Sequence, residues 1–365
     1  MKNMTQQKKT ESVLDEYRIP YIKDYDIKSN SYSKTGYLVE KFIMPRTVIE
    51  LQFLITAFKN SSIEYKVIGE TTNVIFLDSV VYSNIISTKL ITSLEFRDNE
   101  VVVDCGKNLP DFVRELSMRN YTGFEGLEGI PGTVGGAIFM NAGAYGYEIS
   151  DNIKSVTCID LNGKLIVYNK EQLEFKRRGS FFKENNGFII LNATFGLEVG
   201  IADNIYGKIE RFHIARHKYQ EWVYPNLGSI YSSEKSIYDS YIPCNRFKIK
   251  LKFIRKIFYS NPIAKYYNRL YPSNERLNKL FLSHFKMTEF SNFPSKKNLN
   301  TFINNNSSTL DIVTYISKLG TVLDKDTYLE NELVISPILD VIEKSEYEKT
   351  IKTYNLALVS NENVE

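Results

Sequence analysis

Residues 126–146, GLEGIPGTVGGAIFMNAGAYG, hold seven glycines and one proline in twenty-one positions, and the chain on either side is ordinary in composition. Gly129, Ile130 and Pro131 predict a tight turn, with Pro131 suited to the first position of a helix. Gly132, Gly135 and Gly136 have no Cβ, so a large anionic ligand has room to approach the backbone. N–H groups at such a helix start favour phosphate or diphosphate. A lone GxxGG would favour a purely structural turn. The continuation Asn141-Ala142-Gly143-Ala144-Tyr145-Gly146 tips the reading towards a loop wrapped round a cofactor.

The bulk numbers narrow the class. At 365 residues, with 43% hydrophobic and 24% charged residues, the chain has room for two or three domains of a soluble protein. A net charge of +3 gives no global argument for nucleic acid. No apolar run is long enough to span a membrane. The first residues, MKNMTQQKKTESVLDEY, have lysines but no apolar core, so they are not a signal peptide and the expected compartment is the cytoplasm. Cys105, Cys158 and Cys244 are odd in number and widely spaced, against a disulfide framework or zinc site. His213 and His217 have helical metal-ligand spacing without an HExxH context, a weak signal. The chemistry must then come from a bound cofactor or from common polar residues.

Residues 1–35 are polar and read as a mobile lead-in. Thr47-Val48-Ile49-Glu50 has the form of a capping box, and Leu51, Ile55 and Phe58 continue from Val48 along one helical face. Short β-type runs follow at 65–69, 73–78, 79–87 and 99–106, then an amphipathic helix over 109–118. Two strands flank the Asn162-Gly163 turn, a hairpin signal, and another covers 187–199. A helix from Ala202 to Gln220 closes this α+β block. Residues 341–365 read as a polar tail or peripheral helix. Residues 246–274 carry eight basic residues and no acidic one. There RFKIKLKF alternates like a strand with one basic face, yet Phe247, Leu251, Ile254 and Phe258 also sit at helical spacing. The plain reading is an edge strand or solvated helix face kept soluble by lysine. The functional one is an anion contact, for a diphosphate substrate or an acidic surface.

With four other segments, the glycine-rich run resembles the flavin loop of the MurB family of UDP-N-acetylenolpyruvoylglucosamine reductases, flavoenzymes of peptidoglycan precursor synthesis. GETTNVIFLD at 69–78 resembles the family's G-x-G-S-N turn: Gly69 and Asn73 match, Thr71 replaces the second glycine and Thr72 the serine. Thr72 keeps a hydroxyl for phosphate. Thr71 is β-branched and disfavours φ > 0, so the turn is rebuilt or strained there. FKRRGSFFK at 175–183 is similar to Y-R-D-S-x-F-K; Arg178 and Ser180 match, while Arg177 and Gly179 replace the tyrosine and aspartate. NLGSIYSS at 226–233 is similar to G-S-x-F-K-N-P; Gly228 and Ser229 match, and Ser232-Ser233-Glu234 replaces Lys-Asn-Pro. YLENELVIS at 328–336 resembles the family's last strand, with Glu332 at the catalytic glutamate and Glu330 at the other carboxylate of L-E-x-E. The likeness spans 30–340. The short connection from Leu197 to Gly228 points to the shorter subclass.

The resemblance implies an α+β fold: a two-subdomain FAD-binding module of the PCMH/vanillyl-alcohol-oxidase type over 36–220, divided near 90–100. A smaller α+β substrate-binding domain follows over 221–340, with the basic insertion at 240–275. FAD is the implied cofactor and NADPH the reductant, a UDP-sugar the substrate, and the chain a monomer without nucleic-acid or transmembrane function. Gly69, Glu70, Thr71, Thr72, Asn73, Gly129, Ile130, Pro131, Gly132, Thr133, Gly135, Gly136, Asn141, Gly143, Ala144 and Tyr145 are the implied cofactor contacts. In the implied reaction Arg178 faces the substrate carboxylate and the developing enolate, and Ser229 delivers the completing proton. Glu332 completes the polar contacts, with Glu330 on the same strand face by period-2 geometry. Trp222 either stacks on uracil or packs. Two further readings remain: a flavin reductase of another nucleotide sugar, and a flavin-binding scaffold that has lost catalysis and serves a protein or membrane contact.

Overall fold

The computed structural model describes residues 2–185, 187–270 and 273–362. Strand Val80–Ser87 is the centre of the first sheet, and its Val/Ile-rich run is mostly buried, as a strand covered on both faces requires. Leu38–Ile43 and Lys66–Ile68 pair with it in parallel, and Ile338–Val341 pairs antiparallel. Tyr21–Asp26 extends the sheet from Leu38–Ile43. The second sheet is antiparallel, in the order Leu165–Asn169, Ile153–Asp160, Phe188–Gly196, Glu100–Asp104, Leu94–Arg97. The Asn162-Gly163 hairpin forms as its sequence requires, with Gly163 at φ 80°.

Helix Val48–Asn60 begins at Thr47, whose hydroxyl accepts from the Glu50 N–H at 3.0 Å. The Glu50 carboxylate reaches back to the Arg46 N–H at 2.6 Å, one residue earlier than a capping box places it. Leu51, Leu54, Ile55 and Phe58 form its buried face.

Where a mobile lead-in was expected over 1–35, residues 2–30 hold regular elements. Lys2–Glu16 is a helix, Tyr21–Asp26 a strand and Ile27–Asn30 a helical turn; Met1 lies outside the described residues. Leu14 and Ile19 are buried, and Glu11 stands 3.8 Å from the buried Lys41 ammonium, which also meets Glu40. A buried ammonium needs counter-charge, and the polar lead-in supplies part of it.

The boundary drawn at 220 is crossed by the returning chain. Glu332–Val334 pairs in parallel with Val74–Phe76, placing Glu332 beside Val74, before Ile338–Val341 joins the first sheet. One apolar cluster therefore spans both regions, with Ile27, Val39 and Phe76 sharing it with Tyr231, Phe281 and Val334. A separate cluster lies under the antiparallel sheet. Of the polar tail or peripheral helix expected over 341–365, the structure has helix Lys344–Glu362, packed on Thr309–Gly320, with 363–365 outside the described residues. Tyr347, Ile351 and Tyr354, spaced i, i+4, i+7, form an apolar stripe that its polar average conceals. RFKIKLKF lies in helix Asn245–Arg255, because Phe247 inserts among the rings of Tyr241, Phe281 and Phe285.

Candidate active site

Residues 69–73 link strands Lys66–Ile68 and Val74–Phe76 and face the turn at 132–133. A Cβ on Gly69 would stand 2.3 Å from Thr133 Oγ1, and one on Gly132 would stand 3.1 Å from Thr72 Oγ1. The gap between the turns thus admits backbone and not side chains. Among the described residues, no acceptor pairs with the half-buried N–H groups of Glu70, Thr71, Thr72 and Asn73. Four such N–H groups in one turn suit a diphosphate. The Glu70 carboxylate is drawn aside by Lys89 at 3.1 Å. Thr71 stays out of the left-handed region, so the turn is rebuilt without strain. Its Oγ1 accepts from the Tyr32 N–H at 2.7 Å, a tie to the lead-in that glycine could not make.

The Asn73 side chain, expected at the cofactor, is engaged with the last strand. Its Nδ2 donates to Glu330 O at 2.8 Å, and its Oδ1 accepts from Asn331 Nδ2 at 3.0 Å. Its carbonyl accepts from the Glu332 N–H at 3.0 Å. One residue of the turn therefore anchors the backbone at both acidic residues.

The glycine-rich run departs from expectation in two ways. It does start helix Val134–Met140, but the first N–H groups are satisfied within the protein: Val134 by Lys107 O at 2.9 Å, Gly135 by Cys105 O at 2.8 Å, Gly136 by Thr133 Oγ1 at 3.2 Å. They are not the anion donors the composition suggested. Several glycines also make room for protein. A Cβ would stand 2.9 Å from Cys105 Cβ at Gly135, 2.5 Å from Arg216 Cδ at Gly129 and 2.5 Å from Tyr147 O at Gly143. Gly143-Ala144 forms a hairpin with Tyr147-Glu148, turning through Tyr145 and Gly146 at φ 55° and 83°. The Tyr145 ring stacks on Phe212 at 4.5 Å, with Arg216 5.0 Å away. Asn141 ends the helix at φ 44°; its Nδ2 donates to Glu148 and to Lys176 O, while its buried Oδ1 has no partner among the described residues. Ile130, Pro131 and Gly136 keep exposed surface. The residues present fit an FAD diphosphate on the N–H groups of 70–73, where the turn faces 132–133.

Lys176 and Gly179 bond to each other in both directions, at 3.1 and 3.0 Å, so Arg177 and Arg178 occupy the tip of a two-residue turn. Arg178 is held at φ 55°, an uncommon conformation for a residue with a Cβ. Its Nε donates to Glu330 Oε1 at 3.2 Å, and Arg177 Nε donates to Ser232 Oγ at 3.0 Å. The Glu330 N–H donates to Ile230 O at 2.8 Å, which brings the exposed Ser229 beside the same strand. Ser180 Oγ donates to Phe139 O at 2.8 Å and secures the arginine turn to the glycine-rich helix. Segments 177–183, 229–234 and 330–332, remote in sequence, thus meet next to the 69–73 turn.

Lys183 completes the cluster, and the residue-level reading assigned it no role. Its only sequence signal was the match to the last lysine of Y-R-D-S-x-F-K. Nζ donates to Arg178 O at 3.1 Å. Burial pushes the ammonium below its ordinary value, against the fields of Glu332 and Glu330. Burial likewise raises the Glu332 carboxyl, opposed by Lys183 and Lys66. The two shifts share one cause, the burial of charged groups at this corner of the fold. The other sequence candidates lie elsewhere. His213 pairs with Glu128, His217 stacks on Trp222 at 5.0 Å, and the described residues hold no metal-ligand cluster. Trp222 packs there, on the exposed side of helix Ala202–Tyr219.

A family model described as FAD binding domain matches residues 39–169. The UDP-N-acetylenolpyruvoylglucosamine reductase of Clostridium novyi (strain NT) is 34% identical over 224 residues, 61% of this chain and 72% of its own length. UDP-N-acetylenolpyruvoylglucosamine reductase 2 of Bacillus cereus (strain ATCC 10987 / NRS 248) is 35% identical over 208 residues, 57% of this chain and 68% of its own. Among solved structures, UDP-N-acetylenolpyruvylglucosamine reductase (MurB) from Thermus caldophilus shares the fold with a TM-score of 0.58 at 20% identity, covering 87% of this chain and 98% of that one. The α+β architecture, the facing turns and these likenesses agree: the chain belongs to the UDP-N-acetylenolpyruvoylglucosamine reductase family.

Proposed function

We propose that the protein is an FAD-dependent reductase that uses NADPH to saturate the enolpyruvyl group of UDP-N-acetylenolpyruvoylglucosamine, giving UDP-N-acetylmuramate for peptidoglycan precursors. The observation that carries this reading is the meeting of Arg178, Glu330, Glu332 and the Ser229 segment beside the 69–73 turn, with Asn73 joining turn and strand. Bound FAD supplies hydride transfer, chemistry no side chain here can perform.

The chain's own residues then orient the substrate and manage charge and protons. Arg178 is permanently charged and engages Glu330 through Nε, which aims its guanidinium. It would hold the substrate carboxylate and stabilise negative charge as it spreads onto that group. Ser229, exposed beside the strand, would donate its hydroxyl proton to the substrate carbon and recover one from solvent. Glu332, whose carboxyl burial raises above its ordinary value, would complete the polar contacts around the substrate carboxylate. Lys183 would brace the Arg178 turn through its bond to the Arg178 carbonyl.

The other nucleotide-sugar reading draws support from the rim. There Arg177 meets Ser232 and stands 4.0 Å from Glu234, where the family pattern has Lys-Asn-Pro. One experiment separates the readings. Protein loaded with FAD is reduced anaerobically by NADPH, then mixed with UDP-N-acetylenolpyruvoylglucosamine while flavin absorbance is followed. Rapid reoxidation is expected. Ser229→Ala should retain reduction by NADPH and slow reoxidation by roughly a hundredfold or more. Reduction without reoxidation by this substrate would reject it in favour of another nucleotide sugar, and equal half-reactions in both proteins would remove Ser229 as proton donor.

A further inference from the structure

The basic segment takes no part in the site just described. Helix Asn245–Arg255 continues through a wider turn at Lys256–Ser260 into helix Pro262–Leu270; residues 271 and 272 lie outside the described residues. Its inner face is fixed. Phe247 and Leu251 are buried, Arg255 donates to both Asp239 oxygens at 2.8 and 2.9 Å, and Arg276 covers the Phe258 ring at 3.7 Å. Its outer face carries a second apolar stripe. Ile249, Phe253 and Ile257 recur at i, i+4 and i+8 with 69%, 63% and 39% of their surface exposed. Ile263 and Tyr266 of the next helix are exposed as well. Lys248, Lys250, Lys252 and Lys256 stand exposed around the stripe, and residues 246–274 have eight basic residues with no acidic one.

We propose that this face docks on an anionic lipid surface, the apolar stripe entering the headgroup boundary and the lysines meeting lipid phosphates. A held helix with exposed bulky apolar side chains between lysines has the pattern of an interfacial helix. No helix among the described residues is long and apolar enough to cross a membrane, so the contact is peripheral. Nucleic acid fits less well, because Ile249, Phe253 and Ile263 would meet neither phosphates nor base hydrogen-bonding edges. A second copy docked through the same face would bring the exposed Lys248, Lys250, Lys252 and Lys256 of each copy against one another. With a net charge of only +3, the attraction belongs to this face and not to the whole protein.

Co-sedimentation of full-length, FAD-loaded protein with vesicles tests this. Binding is expected with phosphatidylglycerol in phosphatidylcholine, weaker as salt rises, and not with phosphatidylcholine alone. Lys250→Glu with Lys252→Glu, and separately Phe253→Ser, should each weaken binding about tenfold or more while leaving NADPH-driven flavin reduction unchanged. Any of four results overturns the proposal: no binding to phosphatidylglycerol vesicles, equal binding to neutral vesicles, variants that bind like the parent, or tighter retention on double-stranded DNA than on vesicles. So does a stable dimer that Phe253→Ser dissociates.

Discussion

Glu332 carries a carboxyl that burial raises, with Lys183 and Lys66 acting against the shift. Unfolded, a glutamate titrates near 4.3, so the folded chain holds this proton to higher pH. The stability so contributed is complete below the unfolded value and is lost as pH rises through the raised folded one. Glu332→Gln is therefore expected to raise Tm at pH 8, change it little at pH 4, and slow the substrate half-reaction while NADPH still reduces the flavin. Thermal melts at the two pH values check it, and a variant that melts below its parent at pH 8 would contradict it. The sequence motifs pointed to Arg178, Ser229 and Glu332, and the fold does bring their segments together. What they could not disclose is division of labour. Asn73 sits in a flavin-type turn yet its side chain holds the acidic strand, and Lys183 owes its lowered proton affinity to a burial that the local sequence does not announce.

Single elements were legible where one period dominated, as in helix Val48–Asn60 and the hairpin at Asn162-Gly163. In the glycine-rich run the role of each glycine was hidden for a specific reason. Composition reveals a missing Cβ and does not reveal whether a ligand or Cys105, Arg216 and Tyr147 fills the space. The C-terminal helix, one of two readings that its polar average left open, braces the site strand. Tyr354 Oη donates to Asn331 O and accepts from the Leu333 N–H, both at 3.2 Å, and burial pushes its pKa up to about 12, so it remains a donor. Tyr354→Phe leaves both backbone groups without this partner and should cost about 1–3 kcal/mol. A fall in the urea midpoint at unchanged slope, with slower substrate turnover, is the expected result.

Across the molecule, the strand Val80–Ser87 is completed by residues more than 250 positions later. A fragment of residues 1–220 would leave the Val80–Tyr82 edge open and expose the cluster shared with Tyr231, Phe281 and Val334. It should therefore aggregate or lack a cooperative melt, and should fail to retain FAD after gel filtration. A soluble fragment that binds FAD like the whole chain would show that the flavin module stands alone. Sequence order suggested such a module because the motifs of 69–146 precede those of 229–332, whereas pairing across the chain is a tertiary fact that no local pattern encodes.

The same return has a consequence for chain length. After helix Ala202–Tyr219 the chain next pairs a strand with the N-terminal half at Glu332–Val334, so in terms of strand pairing everything between is one closed loop. Closure entropy grows only with the logarithm of loop length, about 0.6 kcal/mol for each doubling. Extra residues such as 246–274 can therefore be accommodated inside the loop at little entropic cost, while the register at Asn73 and Glu332 is set by strand pairing and is indifferent to how far the chain has travelled between them.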